Sequence, residues 1–116
     1  MGDEFEDFKR YFEEYQKRFG LLGYKVYFKY SPLGERFATI AINQNSMVAN
    51  VQLNSRLPKE HKPNKDIRRD AKHEALHLLL GRVSNIMEAR FVSEEEPNEA
   101  EEELVNRLME LINLDD

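Results

Sequence analysis

The sequence predicts an α+β domain with a short sheet, and three observations carry that prediction. Aromatic residues near the start repeat at three- and four-residue spacing, the period of a helix. Three short runs after residue 23 alternate with a period of two or are rich in β-branched and aromatic side chains, as strands are. A long apolar stretch around residues 71–80, and another after Pro97, return to helical spacing. At 116 residues, 41% hydrophobic and 34% charged, the chain reads as one globular domain, 1–116, long enough to bury a core.

The first helix covers residues 3–19. Phe5, Phe8, Phe12, Tyr15 and Phe19 form one stripe between charged residues, with Asp3 placed to cap the start and Gly20 to end it. Such a stripe is core packing and carries no chemistry. Tyr24–Tyr30 alternates as a strand, and Arg36–Asn43 follows after the turn Ser31-Pro32-Leu33-Gly34. A second turn at Asn43–Ser46 leads to a third strand, on which Met47, Ala49, Val51 and Leu53 line one face. Short connections favour hairpins, so the expected sheet is three-stranded and largely antiparallel.

Asn54–Lys65, with Pro58 and Pro63, reads as a loop. The next helix starts near Asn64–Asp66 and runs to about Leu80, with Gly81 as its stop. After Ala71 it is apolar almost all round, which belongs at the centre of a domain. Residues 82–97 read as an irregular connection. The last helix, about 98–113, shows Leu104, Val105, Leu108, Leu111 and Ile112 on one face.

Composition narrows the chemistry. There are no cysteines, so neither a disulfide nor a thiolate metal site is possible, and any metal must be held by His, Asp or Glu. The N-terminus is acidic and no apolar run approaches a membrane span, which leads to the expectation of a cytoplasmic protein without membrane partners. Net charge is −5, unevenly laid out: residues 88–116 hold eleven acids against Arg90 and Arg107, whereas residues 56–72 hold seven bases against three acids. The basic stretch has no aromatics for stacking on bases, so it reads as a solvated surface and not as a nucleic-acid site.

Against that background His73-Glu74-Ala75-Leu76-His77 stands out. Residues four apart on a helix share a face, so His73 and His77 can present two imidazoles to one zinc ion. Glu74 lies about 100° round the helix, close enough to take a proton from a zinc-bound water without itself being a ligand. A catalytic zinc needs a third protein ligand and an open position. With Leu104 as zero and 100° per residue, the apolar face of the last helix centres near about 40°. Glu101 falls at about 60° and Glu102 at about 160°. Helical phase therefore selects Glu101 as third ligand, with Glu102 in reserve.

The run His73–Gly81, preceded by three strands and followed by Glu101-x-x-Leu104-x-x-x-Leu108, resembles the minimal gluzincins. Within these it is similar to ImmA/IrrE-type and small phage-encoded zincin-like metallopeptidases, with SprT-like proteins more distant. The resemblance spans about residues 24–112, but only the HExxH motif is specific. It implies a hydrolase that cuts a peptide bond of a protein or peptide substrate: Zn2+ on His73, His77 and Glu101, and Glu74 as general base. It also implies that the strand Met47, Ala49, Val51, Leu53 forms the edge on which an extended substrate pairs. The glycine usual before the second histidine in the ImmA/IrrE type is Leu76 here. No oxyanion-stabilising group is evident, and Arg82, His61 and Arg90 are candidates by elimination. The alternative reading is a catalytically inert protein that keeps the scaffold for binding or regulation.

Overall fold

The computed structural model describes the backbone of residues 3–90 and 95–112, and it is an α+β domain of three helices and one three-stranded sheet. Helix α1, Asp3–Arg18, buries Phe8, Phe12 and Tyr15 completely or nearly so. The chain leaves it through Gly20 at φ 74°, the left-handed conformation that a glycine takes without a Cβ clash. Gln16, buried on the same helix, donates to the carbonyls of Leu21 and Tyr24 and so fixes the path into the sheet.

Strands β1 (Lys25–Ser31), β2 (Ala38–Asn43) and β3 (Val48–Asn54) lie in the order β1-β3-β2. β2 and β3 form the expected antiparallel hairpin, with Ile40 opposite Val51. β1 and β2 do not pair. β3 inserts between them and runs parallel to β1, with Phe28 opposite Val51, so the sheet is mixed. The connection 32–37 therefore has to cross two strand spacings, roughly 10 Å. Buried Asn54, at the end of β3, holds it there. Its amide donates to the carbonyls of Gly34 (2.8 Å) and Arg36 (2.7 Å), and its Oδ1 accepts from Leu33 N (3.1 Å) and Arg56 N (2.8 Å).

One face of the sheet is covered by α1 and by helix α2, Ile67–Arg90. Ala49, Val51 and Leu53 meet Phe8, Phe12, Tyr15, Ala71, Ala75 and Leu78 in a single core, and Phe28 meets Phe8 and Phe12 edge-on. A 3-10 helix, Lys59–Asn64, occupies part of the stretch read as a loop. Helix α3, Glu95–Leu111, packs on α2 around Leu76, Val105 and Met109. Among the described residues no helix is long and apolar enough to cross a membrane.

Three expectations change. Gly81 does not end α2, which continues nine residues to Arg90. A Cβ at Gly81 would lie 2.9 Å from Ile42 Cδ1 and 3.1 Å from Gln44 Nε2, so the glycine leaves room for the ends of those two side chains. Pro97 lies within the first turn of α3, where a missing N–H costs little, and does not end a loop. Leu104 and Leu111 are 45% and 75% exposed, while Met109 is 3% exposed. The buried face of α3 is thus rotated by about 45° from the face that its leucines suggest.

Candidate metal centre

The site forms where α2 faces α3 across the outer edge of β2. His73 and His77 lie one turn apart on α2, their ring centroids 4.7 Å from each other. The rotation of α3 brings both Glu101 and Glu102 to them, but to different nitrogens. His73 Nε2 lies 2.8 Å from Glu102 Oε1, and His77 Nε2 lies 3.0 Å from Glu102 Oε2. Glu101 Oε2 instead accepts from His77 Nδ1 at 2.5 Å, and Glu74 Oε2 accepts from His73 Nδ1 at 3.1 Å.

This arrangement has a clear electrostatic consequence. A carboxylate only accepts hydrogen bonds, so each ring nitrogen that faces one carries a proton, and both rings are stabilised as imidazolium. The hydrogen bond to Glu74 raises His73 to about 8 against the opposing effect of burial, with Glu102 adding to it. His77 is also raised: burial disfavours its charge, but Glu101, Glu74 and Glu102 together outweigh that.

The residues fit a zinc ion. The ligand atoms of His73, His77 and Glu102 all lie within 4.8 Å of one another. Ligands at zinc's usual distances are separated by about 3.4 Å, and the two histidine–Glu102 separations, 2.8 and 3.0 Å, lie within a few tenths of an ångström of that. Loss of the Nε2 protons supplies the lone pairs. Glu101 and Glu74 then hold the two Nδ1–H groups, which fixes ring orientation and tautomer as outer carboxylates do in histidine metal sites. The third ligand that this geometry favours is therefore Glu102, and Glu101 supports His77 from behind.

The cleft beside the cluster, about 380 Å³, is lined by Arg36, Ala38, Thr39, Ile40 and Ile42 along β2 and by His73, Glu74, His77, Glu101 and Glu102 across from them. The sheet order corrects the expected substrate edge. β3 is the central strand, with both backbone edges paired, and Ala49, Val51 and Leu53 are at most 1% exposed. Met47 precedes the strand at φ 55°. The edge that borders the cleft is β2.

The candidate oxyanion groups also move. His61 lies 3.7 Å from Glu35 and edge-on to Phe37, and it does not line the cleft. The side chains of Arg82 and Arg90 lie outside the described residues. The cation that does line the cleft is Arg36, which Asn54 anchors by its backbone carbonyl. Nothing local in the sequence marks Arg36, because its relevance comes from the position of β2 at the edge.

Asp70, one turn before Glu74 on the same face of α2, lines a second cavity together with His73 and Glu74. Lys72 is a further support: its ammonium donates to the carbonyls of Met109 (2.5 Å) and Ile112 (2.8 Å), capping an α3 whose last turn has no basic residue of its own. Other bases of the stretch 56–72 also face partners within the chain. Lys65 pairs with Glu4, Arg68 lies over Tyr11, and Arg69 is 3.5 Å from Glu110. No family model, no curated protein and no solved structure matches the chain.

Proposed function

We propose that this protein is a zinc-dependent metallopeptidase that hydrolyses a peptide bond of a protein substrate. The observation that carries the reading is the convergence of His73 Nε2 and His77 Nε2 on one carboxylate, with Glu101 and Glu74 behind the rings, beside an open strand edge. A bound zinc ion supplies Lewis acidity, polarising a carbonyl and lowering the pKa of water towards 7.

The chain's own groups do the rest. The outer edge of β2 pairs with an extended peptide and holds the scissile carbonyl in the cleft. Glu74 is 6% exposed and lines that cleft; turned from His73 Nδ1 towards the water, its carboxylate takes the proton as the water attacks. As the carbon–nitrogen bond breaks, the same carboxyl returns the proton to the leaving amine. Arg36 faces the cleft with a charge of the sign that stabilises the oxygen where negative charge develops.

The test is Glu74→Gln, measured as zinc content and as cleavage of a quenched fluorogenic peptide library. The expected outcome is one zinc per chain in wild type and variant, with cleavage in wild type alone. A wild type that holds zinc and cleaves nothing would make the chain a binding protein on this scaffold. A wild type that takes up no zinc would end the metal reading as well.

A further inference from the structure

We propose that a second cavity floored by Asp70, opening off the cleft beside His73 and Glu74, is a subsite for a basic side chain of the substrate. The proposal rests on the metallopeptidase reading and specifies what the peptide carries next to the bond that is cut. The cavity measures about 250 Å³ and shares Arg36, Ala38, His73 and Glu74 with the cleft, so the two are continuous. A side chain of a peptide lying on β2 passes from one into the other. Phe37, Ala38 and Met109 supply apolar wall, which suits the methylene stem of lysine or arginine.

Asp70 supplies the recognition. Its Oδ2 is shut off from solvent and, among the described residues, has no hydrogen-bond donor, an arrangement that native proteins seldom leave standing. Asp70 lies in the first turn of α2, where an acid is commonplace as a partner of the helix dipole. That role calls for a solvated carboxylate, and this one is largely desolvated. Its carboxyl is pushed up to about 7 by burial and then by Asp66 and Glu74, and an entering cation would relieve all three.

Arg36 and Arg69 line the same cavity, but both are exposed and Arg69 is turned towards Glu110 at 3.5 Å. Arg69 thus has a carboxylate partner and Arg36 belongs to the wall shared with the cleft, so the buried Asp70 oxygen is the charge particular to this cavity. The floor therefore selects for positive charge.

Two peptidyl hydroxamates that differ only in one side chain, lysine in one and norleucine in the other, test this by calorimetry on the zinc-loaded full-length chain. The lysine probe should bind at least about tenfold more tightly, as a charge-assisted hydrogen bond to a buried group provides. Asp70→Asn should erase the preference. Equal affinity of the two probes for the wild type, or a preference that survives in Asp70→Asn, overturns the subsite and leaves the metallopeptidase reading standing. If neither probe binds a chain shown to carry one zinc, the substrate cleft and the subsite both fail. Should Asp70→Asn not fold, an acetyl-lysine probe on the wild type removes the charge instead, and a preference that it retains is equally decisive against the proposal.

Discussion

Glu101 and Glu102 are adjacent in sequence but face different ring nitrogens, so in the proposed zinc site removing each should have a different cost. Glu102 reaches Nε2 of both His73 and His77, at 2.8 and 3.0 Å, and its loss would leave the proposed site two ligands in place of three. Glu101 accepts from Nδ1 of His77, and its loss would free that ring to turn while leaving the proposed ligand set whole. Removal of an outer partner of this kind costs about 10- to 100-fold in metal affinity. Glu101→Ala should therefore bind zinc about 10- to 100-fold more weakly, and Glu101→Gln, which keeps an acceptor for Nδ1–H, less weakly than that. Glu102→Ala should lose well over about 100-fold, beyond the range of any outer partner. Competition with a chromophoric chelator in zinc-buffered solution measures all three. The reasoning is refuted if Glu101→Ala abolishes binding while Glu102→Ala loses tenfold or less. The helical phase counted from Leu104 would then have been right, and the rotation of α3 irrelevant to ligation.

Other outcomes follow from the same geometry. In the metal-free protein His73 is raised to about 8, so its contribution is fully present below its unfolded pKa of about 6.5 and is lost as pH rises through 8. Asp70, raised to about 7, keeps its proton in the fold while the unfolded chain releases it, so stability also falls as pH rises from about 4 to 7. Thermal unfolding of the metal-free chain should therefore shift down between pH 5 and pH 8.5, by at most on the order of 2 kcal/mol from His73, whereas zinc affinity should rise across that range; a flat profile would contradict the paired imidazolium rings. Lys72→Met removes the ammonium that holds the carbonyls of Met109 and Ile112, and should cost about 1–3 kcal/mol in urea unfolding together with a weaker zinc site, because α3 carries Glu101 and Glu102. Unchanged zinc affinity in that variant would separate the cap from the site. Asn54→Ala strips three hydrogen bonds from the connection before β2 and a fourth from Arg56 N, and should destabilise the fold by about 3 kcal/mol, with a loss of under 1 kcal/mol arguing that the crossing is held otherwise.

What burial writes as a period is legible from the residues alone. The aromatic stripe of α1, the alternation of the strands and the apolar run of α2 are local records of which side faces the core, and the α+β class follows from them. The spacing of His73 and His77 likewise puts both rings on one face of one helix, wherever that helix lies. Sheet order could not be read this way, because pairing joins residues far apart in the chain. A six-residue connection serves a hairpin or a two-strand crossing, and Asn54, far downstream, decides between them. That choice moved the open edge from β3 to β2 and made Arg36 a cleft residue. The choice between Glu101 and Glu102 was equally non-local. On a helix with apolar residues at 104, 105, 108, 109, 111 and 112, the groove of α2 takes Val105 and Met109 and leaves Leu104 and Leu111 in water. A rotation of less than one residue's arc is enough to exchange a ligand for its support, and only packing sets it.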